Sequence, residues 1–299
     1  RAESPVHWNE EYGFWGITRY EDIRYISSHP DLFSSEGGII IPEPGKEMTQ
    51  PGSLIFTDPP RHRQLRKLIS SGFTPRHVTL LAPKVDALVD EILAPIAPGD
   101  SLEFAETLAA PLPTRIIAEL IGAPASDWEQ FRVWSDAAVG MLDPEIETDP
   151  TVALLELHEY FSALIVERRA NPQTGDDADI ISQLLAAEVD GERLTDEDLY
   201  MFCWLLLIAG NETTRNLIAL GTIALIEHPD QRQLVIDDPS LIPTAVEEML
   251  RYTTPVTHMA RTATTEVTIR GQEIAKGDVV VMLYGSANRD EAIFGDDAE

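Results

Sequence analysis

One stretch limits what this chain can fold into: LTDEDLYMFCWLLLIAGNETTRNLIALGTIALIE, the run from Leu194 to Glu227. Thr195 followed by Asp196, Glu197 and Asp198 reads as a helix start, with a capping hydroxyl and carboxylates at the positive end of the helix dipole. Tyr200 to Ala209 has no polar face, so this part should run through the protein interior. About ten residues is too few to span a bilayer. The pattern then breaks at Ala209-Gly210-Asn211-Glu212-Thr213-Thr214 and resumes at Leu217. Glycine inside a helix costs about 1 kcal/mol relative to alanine, and a buried carboxylate costs more unless it is paired or protonated. A helix that accepts both suggests function: Ala209 and Gly210 leave room for a flat group against the backbone, while Glu212 and Thr213 offer a proton and a hydroxyl beside it. The alternative is a kink carrying solvated polar residues.

Around this helix the chain punctuates itself. Phe14 to Thr18 predicts a strand, and Tyr20 to Ser27 a helix stopped by His29-Pro30. Gly37 to Gly52 predicts a loop. Phe73-Thr74-Pro75 marks the end of a helical segment. Amphipathic helices are expected over Val78 to Ile96, Glu103 to Ile121, Ala125 to Met141, Thr151 to Ala170 and Ile180 to Glu188, with breaks such as Gly122-Ala123-Pro124 and Asp143-Pro144. Pro229 to Val235 and Leu241 to Tyr252 are two more. Val267, Ile269, Val279 and Val281 alternate around turn signals and predict a small antiparallel sheet. The fold class is therefore mainly α with a small antiparallel β region.

Between the loop and these helices lies Asp58-Pro59-Pro60-Arg61-His62-Arg63-Gln64-Leu65-Arg66-Lys67. Asp58 can cap, and His62 and Arg66 fall one turn apart on one face. Arg61, Arg63, Arg66 and Lys67 form a basic island in a chain of net charge -29, with 51 acids against 22 bases. That contrast suits an anionic ligand or partner, a solvated helix face being the alternative. The overall charge argues against nucleic-acid binding and favours an acidic cytoplasmic protein. Glu248 and Arg251 can pair across one helix turn. The single cysteine, Cys203, excludes an internal disulfide framework and reads as a core residue, and the seven histidines show no metal-ligand spacing.

Taken together, Asp58-Pro59-Pro60-x-His62-x-x-x-Arg66, Ala209-Gly210-Asn211-Glu212-Thr213-Thr214, Glu248-x-x-Arg251, Arg261 and Ala287-Asn288-Arg289-Asp290 resemble the cytochrome P450 superfamily in its soluble bacterial form. The motifs occur in the family's order over nearly the whole chain. The resemblance implies one P450 domain over residues 1–299, incomplete at both ends, that binds haem b (iron protoporphyrin IX). It implies that Thr213 is the distal threonine and Glu212 its neighbouring acid, that Ala209 and Gly210 lie along the haem, and that His62, Arg66 and Arg261 partner the propionates. Glu248 and Arg251 would be the structural pair behind the haem. The family's axial cysteine follows further downstream, so the resemblance expects it beyond Glu299. The implied activity is a monooxygenase that hydroxylates a hydrophobic substrate with O2, taking electrons from a ferredoxin and ferredoxin reductase. The run Thr254 to Arg261 is similar to members acting on sterols, terpenoids or branched lipids, which would bring Val256 and Met259 near the ligand. A rival expectation is a non-catalytic helical protein that binds an apolar ligand.

Overall fold

A computed structural model describes residues 3–41, 49, 51–70, 72–139, 150–175, 178–188 and 190–295. Part of the expected loop 37–52, the break at Asp143-Pro144 and the end of the helix expected to reach Met141 lie outside these residues. In chain order the elements are β1 (Val6–Asn9), β2 (Phe14–Ile17), α1 (Tyr20–Ser28), β3 (Phe33–Ser34), α2 (Arg61–Ser70), α3 (Pro75–Leu93), α4 (Pro111–Ile121), α5 (Trp128–Val139) and α6 (Pro150–Ala170). They continue with α7 (Ile180–Ala186), α8 (Asp196–Glu227), α9 (Pro229–Asp237), α10 (Ile242–Thr253), β4 (His258–Ala263), β5 (Val267–Ile269), β6 (Gln272–Ile274), β7 (Val279–Leu283), α11 (Tyr284–Ala287) and α12 (Glu291–Phe294). The chain forms two compact units, one of Arg1–His62 with Leu220–Glu299, the other of Arg63–Ala219.

The first unit holds a five-stranded sheet in the order β1-β2-β7-β4-β3, with β5 and β6 as a separate hairpin. Ile17, Ile26, Phe33, Val280 and Met282 form its dry core. The predicted β region exists, but with different partners. Val267 and Ile269 pair with β6 across the Arg270-Gly271 turn, whereas Val279 and Val281 pair with β4 and, in parallel, with β2. A two-residue turn dictates the hairpin locally, while β7 finds its neighbours through burial on both faces, which alternation cannot encode. In the same unit α8 approaches α10 at Gly221, where a Cβ would lie 3.0 Å from Met249 Sδ.

The second unit is helical. Its centre is an aromatic cluster in which Phe131 of α5 meets Tyr160 and Phe161 of α6 at centroid distances of 5.2 and 5.8 Å. Full burial of such a ring contributes about 2–3 kcal/mol. Thr74-Pro75 begins a helix here rather than ending one: Thr74 Oγ1 accepts from His77 N, and proline fits the first turn, where no N–H is needed. The segment Glu103 to Ile121 divides, because a π turn at Ala105–Ala109 ends just before Pro111, the first residue of α4. At the far end of α4, Gly122 adopts φ +82° beside Asp179.

The long helix expected from Thr195 to Glu227 is present as α8, 32 residues that carry the polar motif at 209–214 without a break in the helix. Its start is a reciprocal cap: Thr195 N and Oγ1 donate to Asp198 Oδ2 at 2.9 and 2.8 Å, and Asp198 N donates back to Thr195 Oγ1 at 3.0 Å. No helix among the described residues is long and apolar enough to cross a membrane.

Candidate active site

The polar residues of the α8 motif each have a tertiary reason to be tolerated within a helix. Gly210 lets α4 come close, since a Cβ there would sit 2.9 Å from Ile117 Cδ1. The space beside Gly210 is thus taken by a side chain of α4, whereas Ala209, one residue earlier at the end of the apolar run, is exposed. Asn211 is fully buried and joins three helices: its Oδ1 accepts from Thr114 Oγ1 of α4 at 2.8 Å, and its Nδ2 donates to Ser135 Oγ of α5 at 3.0 Å. A buried amide satisfied on both ends costs little and fixes the rotation of α8 about its axis.

That rotation sets the next two residues. Thr213 Oγ1 donates to Ala209 O at 2.7 Å, so its proton is committed to the helix and its lone pairs remain to accept. Glu212 receives a hydrogen bond from Arg215 at one carboxyl oxygen, while the other, Oε1, is buried without a partner among the described residues. Burial raises the proton affinity of Glu212, Arg215 opposes the rise, and the nearby Asp136 charge adds to it, so that its pKa lies above the ordinary glutamate value. The pair offers a carboxyl inclined to hold a proton next to a hydroxyl oxygen able to accept one, the arrangement general acid catalysis uses.

The first unit contributes a different chemistry. Arg261 of β4 is half-buried and donates to Ala260 O at 2.7 Å. Among the described residues no carboxylate lies within ion-pair distance of it; burial pulls its pKa below the ordinary arginine value, and the Tyr284 and Asp58 charges only partly offset this. The carbonyl of Asp58 accepts from His62 N at 3.0 Å to open α2, and its Oδ1 accepts from Ser35 N at 2.9 Å. His62 is half-buried and Arg66 exposed on the same face of α2. In the basic island, Arg63 is exposed and Lys67 pairs with Asp190 at 3.0 Å.

Glu248 and Arg251 form a two-pronged pair, with Arg251 Nε and NH2 donating to the carboxylate at 2.7 and 2.6 Å. Arg251 NH1 also donates to Asn288 O at 2.6 Å, Asn288 Nδ2 donates to Thr254 Oγ1 at 3.0 Å, and Arg289 NH2 donates to Tyr252 O at 2.9 Å. Asp290 is buried, pairs with Arg19 at 2.7 Å and accepts from Tyr20 N at 3.1 Å. The Asn-Arg-Asp motif is therefore the clamp that ties α1 and α10 to the end of the sheet. Arg251→Lys should lower the urea midpoint by the equivalent of roughly 1–2 kcal/mol. Most of that loss should come from the Asn288 bond, because the Glu248 carboxylate is largely exposed and screened.

Val256 is half-buried in the turn before β4, and Met259 packs against the sheet core. Cys203 is fully buried in α8, and burial pushes its thiol far above the usual range, which leaves it an inert core residue.

A family model described as Cytochrome P450 matches residues 128–299. The chain belongs to the cytochrome P450 family. It is 39% identical over 292 residues to a methyl-branched lipid omega-hydroxylase of Mycobacterium tuberculosis (strain ATCC 25618 / H37Rv), covering 95% of this chain and 67% of that protein. It is 38% identical over 314 residues to a steroid C26-monooxygenase of the same strain, covering 99% of this chain and 71% of the relative. Among solved structures, cytochrome P450 CYP109Q5 from Chondromyces apiculatus superposes with a TM-score of 0.88 at 36% identity, over 100% of this chain and 75% of that one. CYP109E1 from Bacillus megaterium in complex with testosterone gives 0.87 at 35% identity, over 100% and 77%.

The P450 family is one of haem-dependent monooxygenases, which makes this chain an oxidoreductase by membership. The residues present fit the cofactor. A half-buried arginine without a carboxylate is costly unless an anion reaches it, and Arg261 is such a cation. The residues missed by reading the sequence were those that gain meaning only from partners: Asn211 with Thr114 and Ser135, Arg215 with Asp136, and Arg19 with Asp290. Asn211 and Asp290 lay inside recognised motifs, whereas Ser135 and Asp136 carry no local signal.

Proposed function

We propose that this P450 is a single-domain monooxygenase that hydroxylates a hydrophobic small molecule, a sterol, terpenoid or branched lipid, in the cytoplasm. The observation that carries the reading is the succession along α8 of a buried Glu212, its pKa raised by burial and one carboxyl oxygen unpartnered, and a Thr213 hydroxyl whose lone pairs are free of the helix. Haem b, when bound, supplies the iron at which dioxygen is reduced and split. His62, Arg66 and Arg261 hold its propionates, a task that suits their charge and donor geometry. Ala209, exposed and presenting only a methyl group, would border it, whereas Gly210, expected beside it as well, is covered by Ile117 of α4. Glu212 delivers a proton from Oε1 to a hydrogen-bonded group that Thr213 orients. The apolar residues of α8 before the motif limit access of bulk water, so protons arrive by this route. Glu248 and Arg251 support the fold behind the cofactor, and Val256 and Met259 border the substrate.

Electrons come from a ferredoxin and its reductase. Arg61, Arg63, Arg66 and Lys67 are the contact we assign to an acidic ferredoxin, their local positive field opposing the overall charge of the chain. For the substrate class, support comes from the relatives whose names specify a methyl-branched lipid or a steroid, and from the neighbour solved with testosterone.

Thr213→Ala should still consume reductant while product per reductant falls roughly tenfold. Parallel assays of NADH consumed and hydroxylated product read this directly, and unchanged coupling would remove Thr213 from the mechanism. Titration of the haem spectrum with sterols, terpenes and branched fatty acids tests the substrate; a response from polar compounds alone would overturn the assignment.

A further inference from the structure

Glu212 is the buried end of a line of alternating charges. Arg215 donates from NH2 to Glu212 and from NH1 to Asp136 Oδ1 of α5 at 3.0 Å. On its other side Asp136 lies 3.6 Å from Arg132 Nε, and Arg132 NH1 reaches Glu106 Oε2 of the π turn at 2.6 Å. Side-chain exposure falls from 55% at Glu106 to 28% at Asp136 and 13% at Glu212, so the line leads from solvent to the unpartnered carboxyl oxygen. Arg215 faces Glu212 from its own helix, Asp136 and Arg132 from α5, and Glu106 through Arg132. The same stretch of α5 places Ser135 on Asn211, so two successive residues grip α8 on either side of Glu212.

A guanidinium shared by two carboxylates behaves differently from one held by a single partner. If Glu212 alone faced Arg215, adding a proton to Glu212 would leave a half-buried cation uncompensated, which is strongly unfavourable. With Asp136 on the second fork of Arg215, the cation keeps its partner in both states of Glu212. We propose that Asp136 is a positioning residue for the acid of the active site, holding Arg215 compensated and in place whenever Glu212 carries its proton. One proton is taken up at Oε1 and given up from the same oxygen; no other bond changes, and no electron is transferred. The proposal rests on the reading of Glu212 as the proton donor.

The test uses the complete haem-loaded protein with glutamate labelled by carbon-13 at its carboxyl group, the Glu212 signal being assigned by its absence in Glu212→Gln. Infrared difference spectra across pH read the Glu212 midpoint without turnover. Asp136→Asn should lower that midpoint by roughly one pH unit, as the nearby negative charge is lost and Arg215 turns wholly to Glu212. Asp136→Glu should restore it. Arg132→Gln removes the competing cation on the far side of Asp136 and should move the midpoint up, which keeps the proposal testable if Asp136→Asn folds poorly. A midpoint that stays put in these variants overturns the proposal. If the midpoint moves as expected while Glu212→Gln leaves coupling intact, control from α5 stands and the proton-donor reading falls.

Discussion

Asp179→Ala is expected to destabilise the protein by about 3–5 kcal/mol, the usual consequence of stranding one member of a buried ion pair. Asp179 and Arg168 are both buried, and Arg168 Nε donates to Asp179 Oδ2. Arg168 NH2 donates in addition to Gly122 O at 2.6 Å, and Asp179 Oδ1 accepts from Ser182 N at 2.7 Å to cap α7. One carboxylate thus closes the C-terminus of α4, the end of α6 and the start of α7. Gly122 takes part for a steric reason as well as a conformational one, since a Cβ there would fall 2.1 Å from Asp179 Oδ2. Asp179→Asn preserves the cap and removes only the charge, so it should cost roughly half as much. The double variant Arg168→Met with Asp179→Ala should recover part of the loss, because no buried charge is then left alone. Urea midpoints of the haem-loaded protein distinguish these outcomes. Arg168 NH1 also meets the exposed carboxylate of Glu167 at 2.5 Å, so a loss below about 1 kcal/mol for Asp179→Ala would show that Glu167 compensates the cation and that the Asp179 pair is not the tie described.

Glu212→Gln is expected to slow product formation roughly a hundredfold, the lower end of what a positioned general acid contributes. The same change should not weaken the fold at neutral pH. Glu212 holds its proton more tightly in the folded protein than in the unfolded chain, because burial outweighs the attraction of Arg215. Its contribution to stability is therefore complete below the ordinary glutamate pKa and is lost as pH rises from there to the elevated folded value. Glutamine has no such loss. The stability difference should favour glutamine increasingly across that window and level off above it. Single-turnover product yields and urea midpoints measured at a series of pH values separate the two effects. A rate within threefold of wild type would dismiss Glu212 as a proton donor, and a stability difference that ran the other way with pH would contradict its burial.

Much of the helical frame was legible because helices are local. The spacing of apolar residues at three and four predicted α1, α6, α8 and α10 to within a few residues, since each buries one stripe whatever it packs against. Errors arose where a signal has two meanings. Thr74-Pro75 looks like a stop, yet the same residues make a good first turn. Gly210 looks like room left for a flat group, but Ile117 fills the space beside it, and Arg215 pairs with Glu212 within the helix. The sheet was harder still. His258–Ala263 shows no clean alternation, and the parallel pairing of β2 with β7 joins residues more than 260 positions apart in the chain.

The family could be identified from residues alone, because short motifs around Glu212 and Thr213, Glu248 and Arg251, and Arg261 follow one another in the family's order. Sequence likewise located buried residues in the run without a polar face, where Tyr200 to Cys203 and Leu207 are buried, although its last residue, Ala209, is exposed. Tertiary structure alone decided how those side chains are held. Whether Glu212 keeps a proton depends on Arg215 and on Asp136, which approaches from a different helix; whether Asn211 is a liability or a tie depends on Thr114 and Ser135. Charge and hydrogen bonding act across space within a few ångströms, and the order of residues along a chain does not state which of them will come within that reach.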